Sequence, residues 1–450
     1  MATRSGEIVY RFYRALTYGI SPLIRLHLRW RRFRGCEHLL RWPERLGRPS
    51  ALRPAGSLVW FHAVSLGEGL AAIPVIKCCL ERRPDVAVLM TTTTTSAFEV
   101  IKKRLPSNVI YQFAPLDIPS SMDAFLQYWR PDAVMLMESE LWPNLIMGAA
   151  RNGVSYTFQL RFTFVVSLAL LNGRMSTKSF RKWSHPVLLP LISLMLSKFT
   201  LILPLSTAQG INFQLLQAPP FSIRYSGDLK YAIVEFGDPE RDKIFLEEFK
   251  ALLLCRKVWM VSSIHKGEEE GAHNMLRQMH ANILTIIVPR QPQCGQSIAQ
   301  KLREQGFCVA LRSHGDYPTT ETSVYVVDSL GELRNFYGST PIAVIGGSFI
   351  QGSAGHNISE AAAVGCAILT GHHVGHFSHM VAEMQRVNPL SVLQVSGENL
   401  VEAVNELLSN VKILEARRAA ARQAFRALSN GVVESVWEML KCHAQGNETK

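Results

Sequence analysis

Leu58-Val-Trp-Phe61-His62-Ala-Val-Ser65-Leu-Gly67-Glu68-Gly69-Leu70 is the stretch on which the fold turns. Its first four residues are apolar without alternation, which predicts a strand covered on both faces, as in a parallel sheet. Ser65 and Glu68 then stand at the S-x-x-E spacing of a capping box, so a helix is expected directly after the strand. A strand feeding a helix opens a βαβ unit. The same pattern recurs along the chain. Candidate strands at 86–91, 109–113, 133–137 and 201–203 complete a first series, and 258–262, 283–288, 324–327 and 342–345 form a second. A Pro-containing segment at 204–222 separates them. The expected fold is α/β, with two doubly wound Rossmann-like domains facing a cleft.

Composition agrees with this. Of 450 residues, 47% are hydrophobic and 19% charged, too apolar for a disordered or acidic low-complexity chain. The net charge of +12 calls for an anionic partner. Much of it lies in the first fifty residues, which carry eleven arginines and three acids. There Ile8, Phe12, Leu16, Ile20 and Leu23 recur at helical spacing, predicting an N-terminal amphipathic helix that suits a peripheral position on an anionic membrane, or a targeting segment. A basic packing helix is the plainer alternative. The apolar stretches 154–171 and 187–205 contain charges or prolines and do not read as spanning helices. No arginines interleaved with aromatics lie along a face of the second domain, so nucleic acid is disfavoured. Eight scattered cysteines without a CxxC pair argue against a zinc ribbon and for a reducing compartment.

In open α/β sheets, ligands bind beyond the carboxyl ends of the strands. Glu68, after the first strand, is either a cap or a base poised for a hydroxyl proton. Glu138-Ser-Glu140-Leu-Trp142-Pro143 follows the strand at 133–137 and places two carboxylates at one strand end. In the second series, Gly346-Gly347-Ser348 through Gly355-His356-Asn357-Ile-Ser-Glu360 offers a glycine-rich approach for a phosphate. Asn357 and Glu360 again have capping-box spacing, as do Ser329 and Glu332. Arg290 follows the strand at 283–288, where a guanidinium suits a phosphate. His372-His373-Val-Gly-His376-Phe-Ser-His379 looks metal-like but has no HExxH context and no carboxylate at ligand spacing, so no metal is expected.

Taken in order, HAVSLGEGLAAIP (62–74), MESELWPNLI (137–146), GDLK (227–230), HKGEEE (265–270), VPR (288–290), SLGEL (329–333) and GGSFIQGSAGHNISEAAA (346–363) resemble 3-deoxy-D-manno-octulosonic acid (Kdo) transferases, glycosyltransferases of GT-B architecture. The resemblance runs from about residue 8 to 430, and the Arg-rich start and cysteines resemble the plant mitochondrial branch. It implies metal-independent, inverting transfer of Kdo from CMP-Kdo to a lipid A precursor, without a cofactor. It further implies Glu68 as proton acceptor, and Glu138 and Lys230 as transition-state stabilisers. Pro289, Arg290, Leu330, Gly331, Glu332, Asn357, Ile358, Ser359 and Glu360 match the CMP-binding segments. The domains expected are 1–50 for membrane association or targeting, 51–205 for the acceptor, 206–430 for the CMP-sugar, and a tail at 431–450. Localisation would be mitochondrial in a eukaryote, and otherwise the cytoplasmic face of the inner membrane. Gln291 and Lys266 depart from the family pattern, and 158–170 looks like an added apolar stretch. A UDP-sugar transferase or epimerase of the same shape, or a catalytically silent lipid-binding homologue, are the alternatives.

Overall fold

The computed structural model describes residues 2–152, 168–236, 256–265, 267–268, 283–352 and 354–442, together with 247, 249, 251 and 253. They form two compact units, 1–236 with 431–450, and 237–430. The first holds six parallel strands: β1 Leu58–His62, β2 Ala87–Thr92, β3 Ile110–Phe113, β4 Ala133–Met137, β5 Leu168–Gly173 and β6 Leu201–Pro204. Their order is β3-β2-β1-β4-β5-β6. The second holds seven: β7 Lys257–Ile264, β8 Ile283–Pro289, β9 Val309–Leu311, β10 Val324–Val326, β11 Ile342–Ile345, β12 Ala367–Thr370 and β13 Val392–Gln394, ordered β13-β12-β11-β7-β8-β10-β9. Every pairing is parallel.

The order decides where chemistry can sit. In the first sheet the chain runs from β1 outward to β3, then crosses to the other side of β1 for β4. The sheet therefore reverses between β1 and β4, and a crevice opens beyond their carboxyl ends. The second sheet reverses likewise between β7 and β11.

Every expected strand is present, most within two residues of its expected ends. β1, β4 and β8 are buried throughout, as their unbroken apolar runs require. Sequence reading missed β9, β12 and β13. It also missed β5 inside the stretch 158–170. Residues 158–167 lie outside the described residues, but Leu168–Leu170 pair with β4 and β6, so at this point the sheet is intact.

The first unit is larger than the 51–205 expected. It continues through β6, the helix Thr207–Leu215 and the 3-10 helix Leu229–Phe236, because these pack on the same sheet. The segment from 431 onward, expected as a tail, carries the helix Val432–Cys442 and belongs to the first unit. Its Val433, Val436, Trp437 and Leu440 are buried in the core with Ala71, Val75 and Leu229. Gly431, at φ 71°, separates it from the preceding helix Val411–Ser429.

The first fifty residues also belong to this unit. Glu44 is buried, receiving Arg41 Nε at 2.6 Å and the Phe113 N–H at 2.6 Å. The helix Ala2–Gly19 lies on the helix Leu189–Leu196, with the expected apolar stripe facing away from the core. On this helix Ile8, Phe12 (70%) and Leu16 are exposed; the single helix expected is broken at Ile20, and Leu23, also exposed, belongs to a second helix, Ser21–Phe33. The inner face of Ala2–Gly19 combines apolar packing, Tyr10 in the core with Val9 against it, and polar contacts. Tyr10 and Thr17 are buried, Tyr13 Oη donates to Asp117 (3.0 Å), and Arg14 pairs with Asp123 (2.7 Å). Among the described residues no helix is long and apolar enough to cross a membrane.

This inverted docking makes a simple prediction. A Cβ on Gly6 would stand 2.4 Å from the Pro190 carbonyl oxygen and 2.8 Å from Leu194 Cβ. Gly6→Val should cost about 1–3 kcal/mol of stability in a denaturant melt, the usual penalty of overpacking. Phe12→Glu, on the outer face, should change it by less than about 0.5 kcal/mol.

Candidate active site

The residues at the first reversal point come from four strand ends. After β1, Ser65 caps the helix Leu66–Arg82, and Glu68 completes the box expected from sequence. Glu68 Oε1 accepts from Ser65 Oγ at 3.0 Å and Oε2 from the Val64 N–H at 2.8 Å, while its own N–H reaches Ser65 Oγ at 3.4 Å. Burial, then the charge of Glu138, raise the proton affinity of Glu68, and the bonds from Val64 and Ser65 oppose them. The cap is therefore formed, and the same carboxylate is held in a setting that favours taking up a proton.

Glu138 follows β4 at φ 53°, a left-handed conformation that non-glycine residues seldom adopt. It is buried, and each oxygen has a cation: Lys230 Nζ lies 2.6 Å from Oε1 and Arg174 Nε 2.9 Å from Oε2. Its backbone joins in, with the Arg174 N–H on its carbonyl at 3.2 Å. Lys230 is held by its own segment. Asp228 accepts the Lys230 N–H (2.9 Å) and Asn172 Nδ2 (2.9 Å), and Asn172 Oδ1 accepts the Leu229 N–H (3.0 Å). Asn172, at the end of β5, is also left-handed, at φ 54°. The structure thus joins MES, GDLK and the loop Asn172-Gly-Arg174. Sequence reading does not single out that loop. Its position after an unrecognised strand hid the role of Arg174.

Glu140 is the residue whose state sequence reading missed. Burial, and then the Glu68 charge, push its carboxyl up to about 8, so it holds its proton at neutral pH. His62, fully buried against Thr91 Oγ1 (2.9 Å) and the Trp142 ring (4.8 Å between centroids), is kept neutral by burial and by Arg45, its pKa lowered to about 3. It supports this corner as a packing residue.

At the second reversal point Pro289 ends β8, and Arg290 follows it, exposed, with its N–H on the Ile264 carbonyl at 3.0 Å. Both expected capping boxes in this unit are absent. The helix after Ser329 begins only at Leu333, and Glu332 instead receives Arg312 through Nη2 (2.8 Å) and Nε (3.2 Å), with Ser329 Oγ close beside. A guanidinium outcompetes a backbone amide for that carboxylate. Leu330 is exposed and Gly331 left-handed, φ 88°. Asn357 Oδ1 accepts the Ser359 N–H at 2.9 Å, too early for a box with Glu360. Ile358 and Ser359 are buried. His372, His373 and His376 are exposed, and among the described residues no three His, Cys, Asp or Glu side chains converge as metal ligands.

Glu140 supplies a pH test. Unfolded, its carboxyl ionises near the ordinary 4.5. Folded, it holds the proton up to about 8. The folded state therefore binds the extra proton, and its stability falls as pH rises from about 5 to 8. Glu140→Gln removes that slope and should exceed the parent by about 1–4 kcal/mol at pH 8, with no gain at pH 4. Thermal melts across pH measure it.

The family profile described as "3-Deoxy-D-manno-octulosonic-acid transferase (kdotransferase)" matches residues 40–233. By structure, the chain resembles a UDP-GlcNAc 2-epimerase from Neisseria meningitidis bound to UDP-GlcNAc, with TM-score 0.55, 14% identity and coverage of 85% of this chain and 99% of the other. It also resembles a glycosyltransferase from Rickettsia africae, with TM-score 0.54, 10% identity and coverage of 87% and 100%. At such identities they show the two-domain GT-B fold. By sequence, the chain is 27% identical to the 3-deoxy-D-manno-octulosonic acid transferase of Haemophilus influenzae, over 97% of this chain and 99% of that one. It is 58% identical to an Arabidopsis thaliana protein named "Probable 3-deoxy-D-manno-octulosonic acid transferase, mitochondrial", over 97% of this chain and 96% of that one. With so much identity across nearly the whole length of both, the chain belongs to the 3-deoxy-D-manno-octulosonic acid (Kdo) transferase family.

Proposed function

We propose that the chain transfers Kdo from CMP-Kdo to a hydroxyl of a lipid A-type precursor with inversion, Glu68 acting as general base. One observation carries this reading. Glu68 stands at the reversal point of the first sheet with its proton affinity raised by burial and by Glu138. A carboxylate so placed accepts a hydroxyl proton better than one in water. In the proposed step Glu68 takes the acceptor proton and the freed oxygen attacks the anomeric carbon. The bond from that carbon to the phosphate oxygen breaks, and CMP leaves with the electron pair.

Glu138 and Lys230 are proposed to stabilise the transition state as one unit with Arg174. Their ion pairs are buried and fixed before the reaction, so little reorganisation is needed when charge develops. In the second unit Pro289, Arg290, Leu330, Gly331, Glu332, Asn357, Ile358, Ser359 and Glu360 are proposed to hold CMP, with Arg290 as the exposed cation among them. We propose no metal or cofactor in this scheme. The leaving group is a monophosphate, and protein cations are placed to meet its charge.

The test supplies CMP-Kdo, generated in situ, and a tetraacyl lipid A precursor to the full chain. A Kdo-lipid product is expected, and Glu68→Gln should lower kcat roughly 10²–10⁴-fold while the melting temperature holds. No product from the intact chain, with a bacterial family member active alongside, would sink the proposal.

A mitochondrial location at an anionic membrane surface is proposed from the Arabidopsis relative and the exposed stripe of the N-terminal helix. Ile8, Phe12, Leu16 and Leu23 offer apolar insertion, and the flanking arginines add roughly 1 kcal/mol each near anionic lipid. The full chain should sediment with vesicles containing cardiolipin and not with neutral ones, and Phe12→Glu with Leu16→Glu should abolish the binding. Equal binding by that double variant would refute it.

A further inference from the structure

The turn after β11 reads in sequence as a cradle for a phosphate, but in the structure the chain fills it with an anion of its own. The N–H groups of Gly347, Ser348 and Phe349 donate to the Glu268 carboxylate at 2.6, 3.1 and 3.1 Å, and the His265 N–H adds a fourth bond at 3.1 Å. Consecutive amides converging on one anion make a nest. The carboxylate comes from the loop after β7 and the nest from the loop after β11. Glu268 therefore ties together the two sides of the crevice at the second reversal point.

This tie sets the position of two imidazoles. His265, on the β7 side, and His356, on the β11 side, share a hydrogen bond of 2.7 Å between their Nε2 atoms, with ring centroids 5.0 Å apart and planes inclined at 27°. Gly347 lies under both rings. A Cβ there would stand 2.7 Å from His356 Cδ2 and 3.1 Å from His265 Cδ2, and its φ of 65° already favours glycine. Arg290 leaves β8 on the other flank of β7; burial first, and then the Arg290 charge, disfavour protonation of His356. The loop after β12 closes the group, with the His373 N–H on the Ser348 carbonyl (2.9 Å) and the His376 N–H on the Ala354 carbonyl (2.9 Å).

A bond between two Nε2 atoms holds one proton, which fixes what the rest of the pair can offer. When neutral, the ring that accepts at Nε2 carries its hydrogen on Nδ1 and is a donor there. The ring that donates at Nε2 keeps a basic lone pair on Nδ1. The pair thus offers a ligand one N–H and one site for an incoming proton, beside a guanidinium. That set suits a phosphate oxygen better than a neutral hydroxyl.

We propose that His265 and His356, together with Arg290, take the phosphate of the nucleotide donor and so distinguish it from the bare nucleoside, and that Glu268 is the positioning residue that holds the pair in register. The proposal rests on the nucleotide-sugar reading given under Proposed function. The test is calorimetric titration of the full chain with CMP and, separately, with cytidine. His265→Asn and His356→Asn should each weaken CMP roughly tenfold or more, as loss of a charge-assisted bond would, and leave cytidine binding and the unliganded melting temperature unchanged. The double variant should lose little more than either single one, because the two rings act as one unit. Glu268→Gln and Gly347→Ala, which disturb the nest and the space under the rings, should lower the ratio of CMP to cytidine affinity in the same direction. Unchanged CMP affinity in both histidine variants overturns the proposal, as does an equal loss of CMP and cytidine. If the unaltered chain binds UMP in place of CMP, the donor assignment fails, and the pair is judged by UMP against uridine. A chain that binds neither nucleotide overturns both.

Discussion

Glu138 is the point to which the first unit is tied. Its carboxylate is buried, and an isolated buried charge is unfavourable by several kcal/mol. Lys230 and Arg174 offset that cost, each taking one oxygen. These partners come from the segment after β6 and the loop after β5, so the ion pairs bring three sequence-distant strand ends to one place. The left-handed backbone of Glu138 and of Asn172 belongs to the same arrangement. Two residues in a sparsely populated conformation, at neighbouring strand ends and linked through Asp228 and Leu229, mark where local comfort gives way to placement of side chains. Removing either cation would leave the other to neutralise Glu138 alone.

The second unit solves a related problem differently. A glycine-rich turn with three amides pointing one way would attract an anion of any origin. Glu268 occupies it, and the attraction becomes a brace across the crevice. What is left to face a ligand there is the imidazole pair and Arg290. A glycine motif in sequence shows that backbone amides are available; it does not show whether a ligand or a side chain uses them.

That distinction explains which parts were legible. Continuous apolar runs mark central parallel strands, because both faces are buried, so β1, β4, β8 and β11 could be read directly. β9 and β13 are as long as β10, and β12 is as long as β11, so length alone did not hide them. β5 was hidden in an apolar stretch without turn signals. Ser65 and Glu68 formed their box because the carboxylate stays within the first helical turn. The same spacing failed at Ser329 and Asn357. Arg312, twenty residues from Glu332, claims that carboxylate, and Asn357 spends its side chain on a nearer amide. Arg174, Glu140 and Glu268 escaped for one common reason. Their roles are defined by partners far away in the chain, and composition and spacing carry no trace of those partners.

The N-terminal helix shows how a pattern can be right while its simplest structural meaning is wrong. The stripe of Ile8, Phe12 and Leu16 is real, yet it points outward, and the helix is held on its other side by Tyr10 in the core and by polar contacts. The central contact is Asp117. It takes Tyr13 Oη at 3.0 Å and the N–H groups of Leu145 and Asn144 at 2.9 and 3.3 Å. Those two amides lie at the start of the helix Pro143–Asn152, whose free N–H groups need an acceptor. Asn144 Nδ2 in turn reaches Thr17 Oγ1 at 3.2 Å. The helix they cap begins directly after the turn carrying Glu138, Glu140 and Trp142, and Trp142 packs edge-on against His62. One carboxylate thus joins the docked helix to the element that follows Glu138 and Glu140.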